Sequence, residues 1–155
     1  MIERIFPARF DNEYRGNRLG LWLFGLLVFM RLMMGANMML NTRSVAVGAD
    51  SIPLDSYGPG GAAMVLALFA SAGLSRFVLA LLGLVALIRY RSMVPFLFLL
   101  LLAEQAGYRL LALATGPVAS SQTATIINLF TLSLLILGLA ISVLPGRARA
   151  DGSRG

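Results

Sequence analysis

Four stretches of this chain, Leu19–Leu40, Gly61–Ile88, Met93–Thr115 and Thr125–Leu144, are long and apolar enough to cross a lipid bilayer. A helix rises about 1.5 Å per residue and the hydrocarbon core is roughly 30 Å thick, so about 20 apolar residues suffice. The connecting pieces carry helix breakers: Tyr57-Gly58-Pro59-Gly60-Gly61 before the second stretch, Gly116-Pro117 after the third and Pro145-Gly146 after the fourth. The pattern predicts an all-α fold, a four-transmembrane-helix up-down bundle forming one domain over 19–144. Residues 1–18 precede it as a cytoplasmic or interfacial segment, and 145–155 follow as a flexible cytoplasmic tail.

Composition agrees: 58% of the residues are hydrophobic and only 13% are charged, too apolar for a soluble domain of this length. All 13 basic residues are arginines, set against 7 acidic ones for a net charge of +6. No basic stripe with interleaved aromatics occurs, so the charge suits anionic lipid headgroups and nucleic acid is not an expected partner. The sequence contains neither cysteine nor histidine, which removes disulfides, thiol chemistry, imidazole acid–base catalysis and His- or Cys-bound metal or haem. No cofactor or metal is expected, and an enzymatic role has little to support it.

Orientation follows from the arginines in short connections. Arg4, Arg9, Arg15 and Arg18 precede the first span, Arg89 and Arg91 join the second to the third, and Arg147, Arg149 and Arg154 follow the fourth. The opposite side has Arg43 alone in its first connection and no arginine in 116–124. Both termini are therefore expected in the cytoplasm. Within residues 1–18, Ile2, Ile5, Phe6, Phe10 and Tyr14 recur at helical spacing opposite Glu3, Arg4, Asp11 and Arg15, which predicts a short interfacial helix that Pro7 interrupts. The 22-residue first apolar run, with three acids upstream, reads as an uncleaved anchor despite the small-residue Ser44-Val45-Ala46 site.

Three charges lie inside the spans. Arg31 is 12 residues from Leu19, Arg76 is 12 from Ile88 and Glu104 is 11 from Met93. All three therefore sit ~17–18 Å into the membrane from the cytoplasmic side. Charges in hydrocarbon cost about 2.5–3.5 kcal/mol each on insertion scales, so they pair or line a functional cavity. None has an opposite charge one turn away on its own helix, so neutralisation must be interhelical. Asn37, Arg109 and Asn128 form an outer polar tier at roughly 24–27 Å. Two central arginines facing one glutamate leave a surplus positive charge. Asp50 and Asp55, in the long connection Asn41–Gly60, are candidate counter-charges, with water or a bound anion as the alternatives. On a helical wheel Glu104 and Arg109 stand about 140° apart, so the two do not share a face.

Three functional readings remain open. The first is a structural or complex-associated four-helix membrane protein whose Arg–Glu cluster fixes helix register. The second is binding or transport of an anionic amphiphile or lipid headgroup, since a guanidinium presents paired donors that match carboxylate and phosphate. The third is a subunit of a membrane enzyme complex, although one acid without a base or nucleophile makes no catalytic constellation. Expected partners are the bilayer, including anionic lipid, and another membrane protein or a second copy. Ala72, Gly73, Ala80 and Gly83 on the second span form a small-residue groove for a neighbouring helix, while Gly138 and Ser142 carry a weak dimerisation signal. Met30, Met34 and Met38 read as flexible core filling in preference to a soft-metal path.

The segments Phe10-Asp11-Asn12-Glu13-Tyr14-Arg15-Gly16, Ala49-Asp50-Ser51-Ile52-Pro53-Leu54-Asp55 and Arg89-Tyr90-Arg91-Ser92-Met93-Val94-Pro95 resemble those of small uncharacterised bacterial four-helix inner-membrane proteins. The resemblance implies a bacterial inner-membrane location with this topology, and it transfers no site residues. In layout alone the chain is similar to DoxX-type proteins, some of which act as subunits in quinone-linked oxidation.

Overall fold

The computed structural model describes residues 5–7, 9–14, 16–115 and 121–144. Its elements are α1 (Arg18–Leu40), a short α2 (Thr42–Gly48), a 3-10 turn (Leu54–Ser56), α3 (Pro59–Arg89), a second 3-10 turn (Arg91–Met93), α4 (Val94–Thr115) and α5 (Gln122–Val143). Among the described residues there is no strand, and the architecture is an all-α four-helix bundle. Four helices are long and apolar enough to cross a membrane. Bulky side chains such as Trp22, Met64, Ile88 and Leu113 are exposed around the bundle, where lipid solvates them at no cost and water would not. The chain is a multi-pass integral membrane protein.

The helix starts follow local chemistry. Asn17 caps α1 by accepting a hydrogen bond from the Leu19 amide at 3.0 Å, and Ser121 caps α5 through the Ala124 amide at 3.1 Å. α3 begins inside the expected breaker. Pro59 occupies its first position, where the missing N–H is no loss, so Gly60 and Gly61 belong to the helix and not to the turn before it. At 31 residues α3 is about 46 Å long, which a bilayer accommodates by tilt or by projection of an end.

In cross-section the helices run α3–α1–α5–α4. α1 packs along α3 and, on its other side, on α5, while α5 carries α4. α3 and α4 are consecutive yet meet little beyond their joining turn, and α1 touches α4 only briefly. We call the end where α1 begins proximal and the end bearing α2 distal. The proximal half is filled by Phe24, Leu27 and Val28 of α1, Ala86 of α3, Val94, Leu97, Phe98 and Leu101 of α4, and Leu134 and Leu135 of α5. Phe24 and Phe98, both fully buried, meet edge to face at 5.0 Å between centroids.

Small residues set how closely the helices approach. A Cβ on Gly35 would lie 2.9 Å from the Phe77 backbone nitrogen, and one on Gly73 would lie 3.0 Å from Met38 Cβ. The α1–α3 seam thus consists of Gly35 on one side and Gly73, Ala80 and Gly83 on the other, whereas Ala72 faces away from it. Gly138 and Ser142 are consumed inside the monomer. The Phe98 ring fills the space over Gly138, and Ser142 is fully buried beside Gly16 and Gly20.

The expected interfacial helix over residues 1–18 falls partly outside the described residues. Of those described, Ile5 is helical, while Phe6, Pro7 and 9–14 are not, the break at Phe6 being in keeping with the bias of a residue before proline away from the α region. This segment instead docks beneath the proximal end. The Asp11 amide donates to Ser92 Oγ at 3.0 Å, and Ser92 Oγ donates back to the Asp11 carbonyl at 2.9 Å. Phe6 stacks against Phe96 at 5.6 Å, and the Tyr14 hydroxyl is buried without a hydrogen-bond partner, burial pushing its pKa up to about 12. The expected breakers Gly116-Pro117 and Pro145-Gly146 and the tail 145–155 lie outside the described residues.

Candidate functional site

The polar layer is divided in two. At its proximal side Arg31 of α1 pairs with Glu104 of α4, Nη1 donating to Oε2. The Arg31 side chain is 9% exposed and that of Glu104 34%. The pair joins two helices whose backbones meet only briefly, adding an ionic tie to the Phe24–Phe98 ring contact between α1 and α4. Interhelical neutralisation at equal depth is what the residue counts required.

Arg76 does not join this pair. The seam contact of α3 is made by Gly73, Phe77 and Ala80, which turns position 76 to the edge of the seam and into a cavity in the distal half. There its Nη1 approaches Met38 Sδ at 3.7 Å, a weak acceptor, and its guanidinium lies 5.9 Å from the centroid of the Tyr108 ring. Among the described residues Arg76 makes no ion pair.

The cavity is half-open, holds about 680 Å³ and lies where α3 diverges from α4 and α5. That volume falls within the range of small-ligand sites. α1 contributes Met34, Asn37 and Met38; α3 contributes Val65, Leu68, Phe69, Ala72 and Arg76; α4 contributes Gln105 and Tyr108; α5 contributes Thr123, Ile127 and Asn128. A roof closes the distal end. The connection 41–60, in which the sequence shows no pattern, folds into α2 and a 3-10 turn, and the Ser121 amide donates to the Ala49 carbonyl at 3.0 Å. Val45, Gly48, Ala49, Asp50 and Ser121 line this roof.

The two candidate counter-charges separate here. Asp50 enters the cavity wall, and Ser51 after it adopts a left-handed backbone with φ 54°. Burial raises the Asp50 pKa above the ordinary carboxylate value, and the positive charge of Arg76 works against that rise. Asp55 turns outward from its 3-10 turn, its side chain 98% exposed, and meets the also exposed Arg43 at 3.5 Å. Such a pair contributes little.

The outer tier divides as well. Asn37 and Asn128 line the cavity, Asn37 Oδ1 also accepting from Asn41 Nδ2 at 2.7 Å. Arg109 is exposed on α4 and does not line the cavity. Gln105, Ser121 and Thr123 also line the cavity. In the sequence Gln105 is marked by adjoining Glu104 in an apolar run, but nothing there singles out the other two. Of the methionines, the buried Met38 and the partly exposed Met34 belong to the cavity wall, while Met33 is exposed and does not line it. No group of three or more His, Cys, Asp or Glu side chains suited to a metal occurs among the described residues. Family models, curated proteins and solved structures give no match to this chain.

Proposed function

We propose that this protein binds an amphiphile bearing an acidic oxyanion, a phosphate or carboxylate, in the distal cavity, with Arg76 as the anion contact. One observation carries the reading: an arginine in the middle of a membrane helix projects into a ligand-sized cavity and, among the described residues, has no carboxylate in ion-pair contact. A half-buried guanidinium with no carboxylate in contact is incompletely neutralised, and a bound oxyanion would engage it with two parallel hydrogen bonds. Leu68, Phe69 and Ile127 supply apolar wall for an alkyl chain, and Gln105, Asn37 and Asn128 supply polar contacts around the head. In this reading Arg31 and Glu104 are structural: each neutralises the other, and together they hold α4 to α1.

Native mass spectrometry of the protein released from its own membrane in mild detergent tests this. A stoichiometric adduct that disappears in Arg76→Ala, with the helical circular dichroism spectrum retained, is the expected result. A bare chain in both proteins would overturn it. A second reading, membership of a larger membrane complex, is favoured by Arg109, whose exposed guanidinium near the distal end of α4 would meet either a lipid headgroup or an acid of another polypeptide. A mass increment matching a protein would support that reading in the same experiment.

We further infer a bacterial inner membrane, with the proximal end cytoplasmic. The support is the arginine asymmetry, with Arg18, Arg89 and Arg91 at the proximal end against Arg43 at the distal one, together with the sequence resemblance above. Because the chain contains no cysteine, single cysteines placed at Tyr57 and Tyr90 give a clean test. An impermeant thiol reagent applied to intact spheroplasts should label the first and spare the second.

A further inference from the structure

We propose that the ligand of this cavity is zwitterionic, a lipid whose headgroup places its phosphate on Arg76 and a primary ammonium on Asp50. The inference rests on the reading of the cavity as an amphiphile site and specifies the headgroup class.

Asp50 and Arg76 are the two ionic side chains of the lining, and they come from opposite parts of it, the roof and the middle of α3. They are not in ion-pair contact, and among the described residues neither pairs with any other charge. Each therefore faces the same half-enclosed space without a direct ionic partner, the two charges acting on one another only across it. Asp50 is also held in place: its own amide donates to the Val45 carbonyl at 3.2 Å, and the Ile52 amide closes back onto the Ala46 carbonyl at 2.9 Å.

A simple anion would satisfy Arg76 and leave Asp50 facing a like charge. A simple cation would do the reverse. Only a headgroup carrying both signs matches both residues, and the summed charge of the wall is then zero with or without ligand. The cation is a primary ammonium and not a quaternary one, because the carboxylate needs N–H donors, which a trimethylated nitrogen lacks. Recognition of quaternary ammonium uses a cage of aromatic faces, and the one aromatic ring beside a charge here, Tyr108, faces Arg76. Ethanolamine-type headgroups have this chemistry.

Calorimetric titration of the detergent-solubilised full chain with dihexanoyl phosphatidylethanolamine, dihexanoyl phosphatidylglycerol and free phosphoethanolamine tests the assignment. The ethanolamine lipid should bind about 10-fold or more tightly than the glycerol lipid, the margin of one charge-assisted hydrogen bond. Asp50→Asn should remove that margin by weakening the ethanolamine lipid alone, its undiminished binding of the glycerol lipid showing that the cavity is intact. Arg76→Gln should weaken both lipids. Equal binding of the two lipids by the unmodified protein, or an equal loss of both in Asp50→Asn, overturns the zwitterion and leaves the oxyanion reading standing. Failure of both lipids to bind overturns both. Phosphoethanolamine binding as tightly as the lipid would overturn the lipid source and assign the site to a small soluble zwitterion.

Discussion

The proximal and distal halves of this bundle are built from the same four helices, yet one is a packed apolar core and the other encloses about 680 Å³ with polar and charged side chains in its wall. The difference lies in how the helices are spaced. In the proximal half the turn Arg91–Met93 holds α3 and α4 together, and aromatic rings fill what remains, Phe98 reaching over Gly138. In the distal half α3 reaches α4 through Arg76 beside the Tyr108 ring, and the roof closes over an unfilled space. Residues that pack tightly position a membrane helix, and residues that fail to pack leave room for a ligand.

Truncating the core should separate the halves most sharply. Phe98→Ala removes a fully buried ring that touches Phe24 and covers Gly138, and should cost about 3–5 kcal/mol. Phe69→Ala, a half-buried ring on the cavity wall, should cost below about 1 kcal/mol. Unfolding in mixed micelles by a denaturing detergent measures both. Comparable losses would mean that the distal half is as closely packed as the proximal one.

The boundary between the halves is the Arg31–Glu104 pair. Glu104→Gln leaves Arg31 buried with no counter-charge, and should cost about 3 kcal/mol, the lower end for a broken buried pair because Glu104 is one-third exposed. Replacing both partners by leucine should recover most of that loss, since the penalty belongs to the orphaned charge and not to the missing attraction. If the double variant is no better than the single one, the pair contributes more than mutual neutralisation.

Much of this boundary was legible in the sequence. Counting from the helix ends placed Arg31 and Glu104 at one depth, and they pair. The same count placed Arg76 beside them, but depth says nothing about direction around the helix. One residue of rotation, with Phe77 and not Arg76 against Gly35, sends Arg76 to the cavity. Asp50 and Asp55 are alike in sequence terms, and only the fold of the connection distinguishes the lining carboxylate from the one turned outward. That fold was hidden because Thr42, Val45 and Val47 disfavour an isolated helix, so α2 depends on contacts with α3 and α1 that local propensity does not reveal.

The α1–α3 seam runs through both halves and should respond by a smaller amount. Gly35→Ala places a methyl 2.9 Å from the Phe77 backbone, which cannot yield as a side-chain tip could, so the helices must separate at a cost of about 1–3 kcal/mol. Because α1 and α3 both line the cavity at the edge of this seam, the same change should also weaken ligand binding. Gly107→Ala on α4, where an added Cβ meets nothing within 4 Å, is the control and should be neutral or slightly stabilising.

The smallest expected effect is the pH response of the roof. Burial raises the Asp50 pKa in the folded protein above its unfolded value. Between those two values the folded state keeps a proton that the unfolded state has released, so stability falls as pH rises through that window. The penalty is absent below the unfolded pKa and fully present above the folded one, including at neutral pH. Asp50→Asn should therefore flatten the acidic limb of the melting profile and raise the neutral-pH melting temperature slightly. Arg76→Gln should do the opposite, since it removes the positive charge that offsets burial and so widens the window. Subtracting each variant's melting profile between about pH 4 and 7 from that of the unmodified protein isolates the contribution of Asp50 from that of the other acids. If both differences are flat, Asp50 and Arg76 do not sense one another across the cavity. The distal half would then lose its opposed charges, and with them the part of its contrast with the proximal core that bears on function.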